Sequence, residues 1–335
     1  MTVDPAAEAR LAELRHHVAR GAEFYHKRQY AQAEQEIRAA LMLDSQNPDA
    51  YMSLAYILVQ QNKLDDAEAA AREAIRLDAN NEWAHVTLGG VLGAKGDRDG
   101  EIREEREALR VNPRNEWAHS LVGDALGNQG DWDGAIAEYR EALRLNPKSD
   151  MTHSTLGAAL GRKGDWDGQV AEEREALRLN PNNDMAHFGL GLALANKHDW
   201  DGAVAEYREA LRLNPKNENV HVHLGVALGN RGDWDGEIAE EREALRLDPN
   251  YDAAHANLGA ALSWKGDWEG EITEEREALR LNPNNASAHN NLGSGLEKKG
   301  DLRGALEEYR AAYMLDPRNT NYKQNYERLL QRVNQ

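Results

Sequence analysis

An all-α solenoid of antiparallel helix pairs is the fold class this sequence predicts, and three observations predict it. The first is a period. Residues 82–115, EWAHVTLGGVLGAKGDRDGEIREEREALRVNPRN, return 34 residues later as EWAHSLVGDALGNQGDWDGAIAEYREALRLNPKS, and a period of this size marks a repeat array rather than separate domains. The second is apolar spacing: Trp83, Val86, Leu88, Val91 and Leu92 recur at helical intervals, as do Ile102, Ala108, Leu109 and Val111. The third is punctuation. Gly96-Asp97 supplies a helix stop followed by an N-cap, and Asn112-Pro113 ends the next helix, because proline pushes its predecessor out of the α region. Each unit therefore reads as helix A (about Trp83–Lys95), a tight turn and helix B (about Arg98–Val111).

Taken in order, residues 1–13 form a helical extension, with Pro5 suited to a first turn and a start near Asp4; Leu11, Leu14 and Val18 carry its apolar stripe into the first repeat as an N-terminal cap. Nine repeats follow at 14–47, 48–81, 82–115, 116–149, 150–183, 184–217, 218–251, 252–285 and 286–319. The first two are the most diverged, and the later ones partly alternate between EIREEREAL and AIAEYREAL forms. Residues 320–335 place Tyr322, Tyr326, Leu329, Leu330 and Val333 on one stripe, as expected of a C-terminal helix that covers the last repeat. No single hairpin is expected to stand alone, because ordering 34 backbones outweighs the burial of its few apolar side chains.

Composition narrows the function. With 40 Lys and Arg against 58 Asp and Glu, the formal net charge is −18, which argues against nucleic acid as a partner and favours basic ones. There are no cysteines, so disulfides and thiolate metal sites are excluded and the redox compartment stays open. No run approaches the roughly 20 apolar residues of a membrane span, and MTVDPAAEARLAEL lacks the layout of a secretory signal; the cytoplasm is the expected location. No HExxH, Walker loop, GxGxxG or cysteine nucleophile occurs, so no enzyme, cofactor or metal is expected.

The pattern resembles the tetratricopeptide repeat. Its marks are Leu88-Gly89 in helix A, the Gly-Asp turn, Ala108 late in helix B and Pro113 at the exit, each recurring down the chain. The resemblance implies a right-handed superhelix whose A helices line a concave face that holds a peptide or helical segment of a partner. Carried over by position, that face comprises Trp83, Trp117, Met151, Met185 and Asn219; Val86, Phe188 and Asn290; Asp124; and Asn128, Arg162, Asn196, Asn230, Trp264 and Lys298. These columns vary between repeats while the packing columns hardly change. The carboxylate clamp of chaperone-binding members needs Lys and Asn where this chain has Val86 and Gly90, or Ser120 and Asp124. Trp132, Trp166, Trp200, Trp234 and Trp268 open helix B and are expected to pack between repeats.

Two columns depart from the family. One holds His17, Tyr51, His85, His119, His153, His187, His221, His255 and His289 where an aromatic is usual. It is read as flat, partly buried rings with satisfied N–H groups; a metal ladder fits poorly with neighbours about 10 Å apart, and a pH-sensitive stack is the remaining alternative. The other departure puts Glu101, Gln169, Glu237 and Glu271, and one turn later Glu105, Glu173, Glu241 and Glu275, where sister repeats carry alanine and tyrosine. These acids are expected either to bond the histidines or to reach past the small residues to solvent. The leading functional expectation is an interaction scaffold. The alternative is a self-assembling rod that forms homo-oligomers or filaments, and light scattering across a concentration series separates the two.

Overall fold

The computed structural model describes residues 5–334; Asp4 lies outside them, and the first helix is described from Pro5. Among the described residues every regular element is a helix, nineteen in all. Contact density divides the chain into two compact units, Met1–Lys163 and Gly164–Gln335.

The first unit holds α1 (Pro5–His26), α2 (Tyr30–Leu43), α3 (Pro48–Gln60), α4 (Leu64–Leu77) and α5 (Glu82–Ala94). It continues through α6 (Arg98–Val111), α7 (Glu116–Asn128), α8 (Trp132–Leu145) and α9 (Asp150–Arg162). Helix α6 has the bounds its sequence predicts, and α5 is displaced by one residue. The caps follow the punctuation. Asp97 accepts the Gly100 N–H at 2.9 Å, Asn115 accepts that of Ala118 at 3.0 Å, and Asn112 is extended ahead of Pro113. The core runs through successive hairpins: Ile102 of α6 packs with Val122 and Leu126 of α7, Ile136 and Tyr139 of α8, and Leu156 and Leu160 of α9. The N-terminal extension corrects one expectation. Leu11 is 47% exposed and residues 6–13 are exposed throughout, so this part of α1 overhangs the body, tied to it where Arg10 donates to the Leu43 carbonyl.

The second unit holds α10 (Trp166–Leu179), α11 (Asp184–Asn196), α12 (Trp200–Leu213), α13 (Glu218–Asn230) and α14 (Trp234–Leu247). Then come α15 (Asp252–Trp264), α16 (Trp268–Leu281), α17 (Ala286–Lys299), α18 (Leu302–Leu315) and α19 (Thr320–Val333). Leu190, Tyr207 and Leu224 share one core cluster, and Ile272, Leu292, Tyr309 and Leu329 another. Leu329 of α19 is fully buried, Tyr326 stacks on Tyr313 at 6.0 Å, and Arg328 donates twice to Glu297, at 2.6 and 2.7 Å.

The turn between helices A and B needs a left-handed residue. Glycine takes it at Gly96, Gly130, Gly164, Gly232, Gly266 and Gly300, with φ between 80° and 90°; Arg28, Asn62 and His198 hold the same place at 58°, 58° and 61°.

The histidine column is built differently from either expectation involving the variable glutamates. His85 Nδ1 donates to Glu104 at 2.9 Å, while its Nε2 faces the Ala79 carbonyl at 3.3 Å. The same 19-residue step joins His17 to Glu36, His119 to Glu138, His187 to Glu206, His221 to Glu240, His255 to Glu274 and His289 to Glu308, at 2.6–2.7 Å. Each pair fastens helix A to helix B of its own repeat. The Glu104 hydrogen bond raises the His85 pKa against the opposing effect of burial; at His221 burial lowers it, and Glu240 and the Pro215 carbonyl more than compensate. With an acceptor at each ring nitrogen, both rings are suited to the doubly protonated form.

Candidate partner-binding surface

The A helices carry the residues assigned to the inner face, and the structure sorts them. Trp83, Trp117 and Met151 stand at one register position of α5, α7 and α9, with 47%, 50% and 61% of their surface exposed. Met185 holds the same position in α11, 58% exposed. Four large apolar side chains thus leave about half of their surface in water, where covering it by a partner would be favourable.

Val86 corrects the sequence assignment. It is 5% exposed and packs against Ala108 and Ala118, so it belongs to the core between repeats and not to the surface. Phe188 is half-buried, edge-on to His223 at 5.2 Å and 6.0 Å from Tyr207. Asn196 and Asn230 are exposed, yet their amides donate to the Leu192 and Val226 carbonyls of their own helices at 2.9 and 2.8 Å. Asn219 accepts from the Tyr251 hydroxyl at 2.5 Å, and Asn128 is exposed. Asp124 accepts from the Tyr139 hydroxyl at 2.6 Å; desolvation raises its pKa although that bond pulls the other way.

The tryptophans opening helix B provide a shelf for the end of the following A helix. Arg162 lies 5.9 Å over Trp132, Lys298 lies 5.6 Å over Trp268, and Trp264 stacks on Trp234 at 4.9 Å with planes 7° apart. In the second unit this arrangement opens into a cleft of about 670 Å³ lined by Trp264, Glu271, Asn290, Asn291, Lys298 and residues of α17–α19. It gathers three residues that the sequence assigned to the inner face: Trp264, Asn290 and Lys298. Asn290 accepts from Asn325 at 2.9 Å.

Between the A and B helices lies a second layer of chemistry. Glu105, Glu173, Glu241, Glu271 and Glu275 are at most 1% exposed, which overturns the expectation that they reach solvent, and the histidines meet the Glu104 column in place of Glu105, Glu241 and Glu275. Successive side chains project about 100° apart on a helix, so Glu104 meets the histidine while Glu105 turns to Gly89. A Cβ at Gly89 would stand 3.0 Å from Glu105 Cγ; one at Gly225 or Gly259 would stand 2.9 Å from Glu241 or Glu275 Oε1. Tyr139, Tyr207 and Tyr309 fill the same space against Gly123, Gly191 and Gly293 in the sister repeats. Asn257 donates to Glu241 at 3.0 Å and Asn291 to Glu275 at 2.9 Å. The Oε2 atoms of Glu105, Glu237, Glu241, Glu271 and Glu275 have no protein partner. Burial pushes Glu105 up to about 8, Glu241 and Glu275 to about 9, and Glu237 and Glu271 to about 7.

Sequence reasoning missed the constant Glu104 column, although a signal for it was present. Where the histidine becomes Tyr51, the residue 19 positions on becomes Ala70; the pair is lost together. It also missed an exposed ladder at a 30-residue step, with Lys163 on Asp133, Lys197 on Asp167 and Arg231 on Asp201.

Among the described residues no group of three or more His, Asp or Glu side chains is placed to hold a metal ion, and no helix is long and apolar enough to cross a membrane. Capped hairpins that share a core with their neighbours define a helical-repeat protein. Profiles described as Tetratricopeptide repeat match residues 18–82, 154–218, 188–252 and 286–319, and one described as TPR repeat matches 123–164. The chain belongs to the tetratricopeptide-repeat family.

Among the solved structures that share its fold are three with the following likeness. One is the APC/C hetero-tetramer Cut9-Hcn1, at TM-score 0.63 and 14% identity over 94% of this chain and 75% of that one. Another is a tetratricopeptide repeat protein from Parabacteroides merdae, at 0.58 and 14% over 74% and 98%. The third is Pseudomonas aeruginosa pilF, at 0.56 and 20% over 62% and 94%. At these identities the likeness concerns the fold. No protein of curated function aligns significantly with the chain.

Proposed function

We propose that the chain is a non-catalytic interaction scaffold that receives a segment of a partner protein along the inner face of its A helices. One observation carries this reading: Trp83, Trp117 and Met151 are exposed at a single register position of α5, α7 and α9, a row of apolar anchors of the kind that dominates recognition when a partner covers it. The net charge of −18 favours a basic segment. Cut9-Hcn1 forms a hetero-tetramer, and a comparable role in holding other chains suits this one.

The test is affinity capture with the wild type beside a Trp83→Ala, Trp117→Ala, Met151→Ala variant. Because about half of each side chain is exposed, the variant is expected to fold, with a lowered urea midpoint, and to lose the partner. Retention of the same proteins by both would remove the row from the binding surface. Light scattering across a concentration series is the control: large particles formed without a partner would move the reading to self-assembly.

A further inference from the structure

The cleft of the second unit has a buried acid in its lining. Glu271 is 1% exposed and its Oε2 has no protein partner, yet it lines a space of about 670 Å³ open to solvent. Glu271 Oε2 lies against Gly295. At the equivalent position the other consensus repeats carry Val91, Ala125, Ala159, Ala193, Ala227 and Ala261. A Cβ at residue 295 would stand 2.9 Å from Ile272 Cγ1 and 3.1 Å from Glu271 Oε2. Glu237, the counterpart of Glu271 one repeat earlier, also has an unpartnered Oε2, but there the position equivalent to Gly295 bears the methyl of Ala261.

Trp264 lines the same cleft, 70% exposed and stacked on Trp234. The arginines that line the cleft are engaged elsewhere, while the Lys298 charge acts on Glu271 and opposes the effect of its burial. Arg328 and Arg332 donate to Glu297 at 2.6–3.2 Å, and Lys298 lies over the Trp268 ring. A buried acceptor with no donor is costly to leave unmade, and an indole face beside it attracts a planar cation.

We infer that this cleft is the specificity pocket of the inner face and takes an arginine side chain of the bound segment, its guanidinium stacked on Trp264 and donating to Glu271 Oε2. The inference rests on the reading of the inner face as a partner surface and adds the chemistry of one residue of the partner. Lys298, whose charge already acts on Glu271, is the competing cation.

The probe is N-acetyl-L-arginine N-methylamide, with the norleucine analogue as its uncharged control, followed through the Trp264 indole N–H signal in the full chain. The expected result is a saturable shift with the arginine probe only, weakened at least tenfold by Glu271→Gln and tightened severalfold by Lys298→Ala. Glu271→Gln keeps the side-chain shape and removes a buried acid, so an unchanged urea midpoint is expected of it. Gly295→Ala, checked for folding by circular dichroism, crowds Glu271 Oε2 and should weaken the shift. No response in the wild type, an equal response to norleucine, or an affinity unaffected by Glu271→Gln overturns the pocket. Since the probe involves no partner protein, such a result leaves the capture experiment on Trp83, Trp117 and Met151 to decide the scaffold reading separately.

Discussion

The repeat at 116–149 and the repeat at 252–285 solve one packing problem with opposite chemistry. In the first, the glycine of helix A makes room for the ring of Tyr139, whose hydroxyl donates to Asp124 at the surface. In the second, the equivalent glycine makes room for the carboxyl of Glu275, which meets Asn291 with one oxygen and nothing in the protein with the other. The tyrosine contributes apolar burial and sends its polar end outward. The glutamate contributes little burial and is tolerated only because desolvation holds it protonated. An array that mixes the two therefore mixes hairpins with a neutral phenol at this packing position and hairpins with a titrating acid there.

The largest effect expected from this difference is on stability above neutral pH. Unfolded, these glutamates titrate near 4.3; folded, Glu105 titrates near 8, and Glu241 and Glu275 near 9. Between those values the native chain holds protons that the unfolded chain has released. Stability is thus fully present below about pH 4 and falls as pH rises through 8–9, by at most about 1.4 kcal/mol per pH unit for each group. The triple variant Glu105→Gln, Glu241→Gln, Glu275→Gln should flatten urea midpoints between pH 5 and 9.

Second in size is Tyr207→Ala. This ring is 1% exposed against Gly191, and its loss should cost about 3–5 kcal/mol by the same amount at pH 5 and pH 8. A loss that varies with pH would erase the contrast between the two kinds of repeat.

Third is His85→Gln, which removes the bond to Glu104 and should cost about 0.5–1.5 kcal/mol. Its folded pKa is raised. The contribution is therefore complete below the ordinary histidine value near 6.5 and fades as pH rises through the folded one, so the cost measured at pH 5 should exceed that at pH 8.5. The smallest effect is that of Asp133→Asn, which breaks an ion pair whose acid is 81% exposed. Its urea midpoint should lie within error of the wild type at high salt.

Much of the fold was legible because repetition multiplies weak signals. One Gly-Asp turn or one Asn-Pro exit is modest evidence, whereas the same punctuation at 34-residue steps fixes the hairpins to within a residue, as α5 and α6 show. The site was less legible. Trp83 and Trp117 vary between repeats and are exposed, as a recognition column should be; Val86 varies too, yet is buried, because variation alone does not distinguish a surface from a packing position filled by residues of different size. The glutamates misled for a geometric reason. Glu104 and Glu105 are neighbours in sequence but point to different sides of α6, and only the concerted loss at Tyr51 and Ala70 marks the one that meets the histidine.

The account turns on whether acids stand protonated inside the glutamate-bearing repeats. Carboxyl-carbon NMR titration of the folded chain measures this directly, with Gln variants assigning Glu105, Glu241 and Glu275. Midpoints near 8 for Glu105 and near 9 for Glu241 and Glu275 are expected; midpoints near the ordinary 4.3 of an exposed glutamate would contradict it.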